Sequence, residues 1–409
     1  MKKISLLAIG LVASLSLSAQ PEALKNVEKM VKSKDYTGAL EAVQPFLTNP
    51  ETAETSLPWY LAGKAALGIW DQVNIESVTP GNNVDDNKKA DAAKQLVKAY
   101  EYYNKALPLD QKPDAKGKVK AKYTKEMRKA LGENYKSYMQ AGLNLYNTQN
   151  YPAAYEAWDI YVNLPANANA DEKAFVADAD SIVGEIAYYQ ALAAYFSKDY
   201  KNAIAAANNA LQKGYQNKNV YIVGMESAGE LKDNAAQLAL AEQGNAKYGG
   251  EDISFLASLV NNALESKDYA KANNLVSSTI ESAKTDSLKS LLYNVKGIVE
   301  EQQNNIAAAK ASLAESIKLN PKNAKSYFDM GRLIQNEVAA KEIDADDATR
   351  MNVLVPAIKE AISMYEKSYE LDPDQTRLPG YIYRLYYNLD QNYHLGQEYA
   401  DKAEYWKNI

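Results

Sequence analysis

Apolar and polar positions along residues 287–321 fall into two runs with a helical repeat, SLKSLLYNVKGIVEEQ and IAAAKASLAESIKL, parted by the polar residues Gln303, Asn304 and Asn305. Each run predicts a short amphipathic helix, and the polar break predicts the turn of a hairpin. Small residues Gly297, Ala309 and Ser316 stand where the two helices must touch. Counted from Gly297, Ala309 lies 12 residues on, Leu313 16, Ser316 19 and Pro321 24.

The pattern recurs, and a four-residue phrase marks its phase. Ser33, Lys34, Asp35 and Tyr36 spell SKDY; the same letters return at residues 197–200 and 266–269, each time with Ala three residues after the Tyr. A degenerate copy, Lys232, Asp233 and Asn234, follows Lys198, Asp199 and Tyr200 by 34 residues. In a hairpin turn the Asp starts the second helix by accepting its free N–H groups. The small-residue spacing and the 34-residue interval resemble those of the tetratricopeptide-repeat (TPR) family. That resemblance implies an all-α fold, a right-handed α-solenoid of about nine TPR-like helical hairpins, with Tyr packing across each pair.

In this phase the first hairpin covers about residues 24–50, with Val27, Ala39 and Val43 at the helix contacts. The second opens with Trp59, Ala62 and Gly63 and resumes with Ala99, Tyr103 and Ala106 before Pro108. Its Gly-to-Ala step is 36 rather than 12, so 24 residues are inserted; they include TPGNNVDDNKKAD and predict a loop, with room for a helix extension. The third uses Tyr138, Gly142, Leu145, Tyr151, Ala154 and Trp158, and the fourth Ala191, Tyr200, Ala203, Ala207 and Ala210. The fifth, around residues 220–248, is the weakest copy and the place where the array is expected to split most easily. The sixth has Val260, Tyr269, Ala272 and Val276, and the seventh is the opening stretch. In the eighth, 18 extra residues separate Tyr327, Met330 and Gly331 from Ala361, Tyr365, Ser368 and Pro373, and the ninth runs from Tyr383 to Ala403. The expected division is a signal peptide at 1–20; N-terminal hairpins at 21–166, with an insertion at about 67–95 and a basic linker at about 110–130; central hairpins at 167–286; and C-terminal hairpins at 287–409, with an insertion at about 336–355.

Composition narrows the setting. The chain of 409 residues is too long for one ordinary core, which suits a repeat array. Lys2 and Lys3, the apolar run from Ile4 through Leu17 and the small residues Ser18 and Ala19 have the order of a secretory signal peptide. Its loss removes two lysines and no acid, leaving a net charge of −8. No other stretch approaches a membrane span, so the expectation is an exported protein, periplasmic or otherwise extracytoplasmic in a Gram-negative bacterium. The acidic balance, 46 basic against 52 acidic residues, speaks against nucleic acid. The absence of cysteine excludes disulfides, thiolate zinc sites, a cysteine nucleophile and a lipid-modified N-terminus.

Chemistry is sparse. His394 is the sole imidazole, and it falls in the last hairpin turn without a partner motif. Asp85 with Asp86, and Asp344 with Asp346 and Asp347, lack the alternation of a calcium loop and are expected to be solvated. Gly249 and Gly250 make a turn rather than a phosphate cradle. No catalytic residue, metal site or cofactor is expected. The basic stretch from Lys112 to Lys136 either steers an acidic partner or headgroup surface, or is a solvated, over-long helix leading into the third hairpin.

Aromatics carry the remaining signal, with 31 tyrosines against five phenylalanines. Most occupy hairpin contacts. Tyr146, Tyr188, Tyr195, Phe328 and Tyr381, with Met139, Asn294 and Arg332 beside them, fall on first-helix faces that would line an inner curve and anchor a partner. The family's carboxylate clamp is not matched, because the equivalent places carry Ile298 and Phe328 beside Asn294 and Arg332. The resemblance therefore implies a non-enzymatic exported scaffold in the cell envelope that binds a protein or peptide of unknown identity. The alternative is a glycan- or nutrient-binding component of an outer-membrane uptake system, suggested by the many Tyr and by Trp59, Trp70, Trp158 and Trp406.

Overall fold

The computed structural model describes residues 20–176 and 182–409, and all regular structure among them is helical. The proposed signal peptide, apart from its last residue, lies outside the described residues. Two compact units meet in sequence at Lys232 and Asp233. The first holds α1 (Gln20–Lys32), α2 (Tyr36–Thr48), α3 (Ser56–Val78), α4 (Asp86–Asp110), α5 (Thr124–Glu133), α6 (Tyr135–Asn147), α7 (Tyr151–Asn167), α8 (Ala170–Val176), α9 (Val183–Phe196), α10 (Tyr200–Gln212) and α11 (Lys218–Glu230). The second holds α12 (Asn234–Tyr248), α13 (Ser254–Glu265), α14 (Tyr269–Ser282), α15 (Asp286–Gln302), α16 (Ile306–Leu319), α17 (Ala324–Glu342), the short α18 (Asp347–Thr349) running into a π turn at Arg350–Leu354, α19 (Val355–Leu371), α20 (Leu378–Gln391) and α21 (Gln397–Lys407).

The repeated phrase builds a complete turn. After α1, Lys34 takes φ 64°. That left-handed residue lets the Asp35 N–H return to the Met30 carbonyl at 2.9 Å, which caps the end of the helix. The Asp35 carboxylate then accepts from the Gly38 N–H at 3.1 Å and starts α2. Lys198 with Asp199 and Lys267 with Asp268 repeat the arrangement before α10 and α14. Lys232 and Asp233 keep the left-handed residue and the N-cap. The turn of the opening stretch uses Asn304 at φ 60° and Asn305 as the cap of α16.

Such short turns force antiparallel neighbours. Among the described residues, the first unit packs α1 on α2, α3 on α4, α6 on α7 and α9 on α10, with α11 against α10. In the second, α12 lies against α13, and the pairs are α13 with α14, α15 with α16, α17 with α19 and α20 with α21. The expected fifth hairpin corresponds to α11 and α12, which fall in different units. Glycine permits the closest approaches: a Cβ on Gly142 would strike the Trp158 indole, and one on Gly331 would come within 2.9 Å of Tyr365 Cδ1.

Two expectations need correction. The 24-residue insertion is helix rather than loop: it lengthens α3 to 23 residues and α4 to 25, leaving residues 79–85 as the connection. Trp70, Ala90, Ala92 and Ala93 are buried in the extension, so apolar faces carry the helices up to the turn-forming letters of residues 79–85. The basic stretch is not one long helix. Residues 111–123 leave α4 as a loop whose far end is fastened by Asp110, which accepts from the Tyr123 and Thr124 N–H groups at 2.8 Å each and from the Thr124 hydroxyl at 2.9 Å. Helix α5 then packs on α8, a pair outside the repeat phase. Arg128 meets the buried Glu172 at 3.1 Å, and Gly132 lies under Phe175.

Candidate binding surfaces

In the first unit, α6 places Met139, Leu143 and Tyr146 on one stripe at spacings of four and three residues, and α9 does the same with Tyr188, Tyr189, Leu192, Tyr195 and Phe196. Rings join the stripes. Tyr146 lies 5.6 Å from Trp158, 5.2 Å from Tyr151 and 6.3 Å from Phe196, and Trp158 lies 5.9 Å from Tyr189. Tyr188 stacks on Tyr215 at 5.7 Å, and Tyr195 meets Phe196 and Tyr200 edge-on. Below the rings the Trp158 Nε1–H donates to the Met139 carbonyl at 3.1 Å, locking the indole against α6. Leu143 remains 46% exposed, Tyr189 37% and Phe196 48%, so the surface is apolar and open.

Carboxylates border this surface. The Tyr189 hydroxyl donates to Glu185 at 3.1 Å, and the Glu226 carboxylate lies near the Tyr195 hydroxyl. Partial burial raises the Tyr146, Tyr188 and Tyr189 phenols above their ordinary range, whereas for Tyr195 the neighbouring Glu226 carboxylate is the larger cause. All four therefore remain protonated and neutral at pH 7. The sequence phase located Met139, Tyr146, Tyr188 and Tyr195, and the structure brings them together. It missed Leu143, which lies between Met139 and Tyr146 on the same stripe, and Tyr189 and Phe196, each one position after a named residue, although the i to i+7 spacing from Tyr189 to Phe196 was visible.

The other four sequence candidates lie in the second unit and divide in two. Asn294 is buried and donates from Nδ2 to Asp329 Oδ2 at 2.9 Å. Arg332 forks onto Glu301 with contacts of 2.7 and 2.6 Å and also reaches Asp329 at 3.6 Å, and the Glu301 bond raises its pKa further. These two hold α15 to α17. Phe328 and Tyr381 instead pack beside Tyr365 and line an open cleft of about 370 Å³ closed by residues 374–378, including the exposed Arg377. A separate groove of about 390 Å³ between α12 and α13 is lined by the amides of Asn234, Gln237, Asn261 and Asn262 with Glu265. Nothing in the sequence pattern distinguished it, because these polar residues look like ordinary solvent faces.

Other candidates take structural places. Asp85 and Asp346 cap α4 and α18 by accepting from the Lys88 and Thr349 N–H groups. His394 is exposed in a turn at φ 54°. Among the described residues, no group of three or more His, Asp or Glu is placed to hold a metal ion, and no helix is long and apolar enough to cross a membrane.

Several solved structures similar to this chain are described as tetratricopeptide-repeat proteins, and the similar structures extend beyond them. They include a TPR repeats protein from Bacteroides fragilis, 17% identical, with 62% of this chain and 98% of that chain covered at a TM-score of 0.31. The C-terminal part of a TPR repeat-containing protein from Cytophaga hutchinsonii is 14% identical, with 66% and 92% covered and a TM-score of 0.42. Yeast Tom70 is 13% identical, with 95% and 93% covered and a TM-score of 0.39. No family model matches the chain, and no curated protein matches it in sequence. The TPR-like description rests on the hairpins themselves: the capped turns, and the small first-helix residues under large second-helix ones, Gly142 under Trp158, Gly297 under Leu313 and Gly331 under Tyr365.

Proposed function

We propose that this chain is a non-enzymatic, exported TPR-like scaffold of the cell envelope that binds a segment of another protein across the ringed face of α6 and α9. The carrying observation is that Leu143, Tyr189 and Phe196 stay exposed on a face whose underlying rings are already fixed by packing. A rigid aromatic surface loses little entropy when a partner covers it, which is why such residues serve as anchors. Among the neighbours, one solved structure is described as a TPR protein with an unusual peptide-binding site and another as a complex of yeast Sti1 with pHSP90. Export is supported by the order of charged, apolar and small residues in the first twenty positions.

Photo-crosslinking in the native cell tests the reading. A benzoylphenylalanine at Leu143 or Tyr189 is expected to yield one recurrent protein adduct that the same group at Lys98, exposed on α4, does not. Equal adducts at all three positions, or none at Leu143 and Tyr189, would remove the proposal. N-terminal sequencing of the same material is expected to find Gln20 first.

A further inference from the structure

The electrostatics of the ringed face point to the chemistry of its occupant. Six Lys-to-Tyr cation–π contacts occur among the described residues, at Tyr60, Tyr123, Tyr293, Tyr386 and twice at Tyr399. None is on the face of α6 and α9, although its rings are the largest connected group in the first unit. The sequence accounts for this. Residues 137–196, which supply most of the face, contain one basic residue, Lys173, against seven carboxylates. Residues 111–136 just before them have the opposite balance, nine basic against three acidic. Lys198, in the turn after Phe196, and Lys201 on α10 are exposed, and neither lies over a ring.

Two carboxylates strengthen the case. Glu185 accepts from the Tyr189 hydroxyl, and the Glu226 carboxylate lies near that of Tyr195. A phenol that donates to a carboxylate gains electron density on its ring, and a ring face attracts a cation in proportion to that density. An open ring bordered by acids, with no cation of its own, is complementary to a guanidinium or ammonium group carried on an apolar stem.

We propose that the face of α6 and α9 takes a basic peptide segment, whose Arg or Lys side chains lie across Tyr146, Tyr189 and Phe196 with their charged heads toward Glu185 and Glu226. This rests on the reading that a protein segment docks there and specifies its charge. An acidic segment would meet like charge, and a neutral apolar one would bring no cation to the carboxylates.

Fluorescence anisotropy with three labelled 12-residue peptides tests it. They share one Leu/Gly frame and carry four Arg, four Gln or four Glu residues. The Arg peptide is expected to bind about tenfold more tightly than the Gln peptide, with the Glu peptide weakest. Tyr189→Leu and Phe196→Leu keep apolar area but remove the ring faces; each is expected to cut the Arg-over-Gln preference by about threefold or more, with an unchanged melting curve. Equal binding of the Arg and Gln peptides, tighter binding of the Glu peptide, no binding of any of them, or a preference that survives both substitutions would overturn the inference. A crosslinked partner at Leu143 whose contacting segment lacks basic residues would also overturn it while leaving the scaffold reading intact. Absence of any adduct would remove both.

Discussion

Lys34, Lys198, Lys232 and Lys267 all sit at φ between 57° and 64°, where an L residue is disfavoured by about 1–2 kcal/mol. The fold tolerates this because the neighbouring residues close the helices: the following Asp offers a carboxylate to the helix ahead in all four turns, and Asp35, Asp199 and Asp268 also return an N–H to the helix behind. Asp199→Ala is expected to cost about 1 kcal/mol by urea denaturation, while Lys198→Gly is expected to stabilise by up to about 1 kcal/mol. If Lys198→Gly instead destabilised as much as Asp199→Ala, relief of backbone strain would not be what that position responds to. The Asp role was legible in the sequence because a cap needs only a short side chain and a free N–H nearby. The left-handed Lys was not, since nothing in its chemistry favours that region and only the helices on both sides impose it. The same limit applies to Asn294 and Arg332. Their partners, Asp329 and Glu301, lie 35 and 31 residues away, beyond what periodicity within one helix reports. The stripes of α6 and α9 depend on phase alone, and half of their residues, Met139, Tyr146, Tyr188 and Tyr195, could be named in advance.

At the scale of the element, the loop of residues 111–123 depends on one carboxylate. Burial alone would raise the Asp110 carboxyl, but the N–H groups of Tyr123 and Thr124 and the hydroxyls of Thr124 and Ser56 hold it below its ordinary value. A depressed folded-state pKa contributes stability above the unfolded value, about 3.9, and loses it as pH falls through the folded one. The clasp is therefore intact at pH 7 and is expected to open as pH falls below about 4. Hydrogen exchange should show the Tyr123 and Thr124 amides losing protection on acidification, and Asp110→Asn should reproduce that loss at pH 7. Amides that stay protected in Asp110→Asn would mean that the loop is held elsewhere. The helical insertion into α3 and α4 shows why element type was harder to infer here: TPGNNVDDNKKAD is turn-forming only over residues 79–85, and its remaining letters continue a face that Trp70 and Ala93 bury.

For the whole molecule, a repeat array opens where its hairpins are least supported. Limited proteolysis is expected to cut first at residues 79–85 and 343–346, where Val78 is 74% and Ile343 81% exposed, while residues 291–317 resist. Early cleavage within 291–317 would contradict the assignment of the seventh hairpin. The outline of repeated helical hairpins was legible because repetition multiplies a weak local signal. The division at Lys232 and Asp233 coincides with the weakest copy, whereas the extra pair α5 and α8 obeys no period and left no trace in the pattern. The self-contained turn has a further consequence for how such a chain changes over generations. Since Ser-Lys-Asp-Tyr finishes one helix and begins the next, recombination between two copies of the phrase rejoins a whole turn. Hairpins can be gained or lost that way without exposing a frayed end, so the gene can change the length of the array in units that already fold.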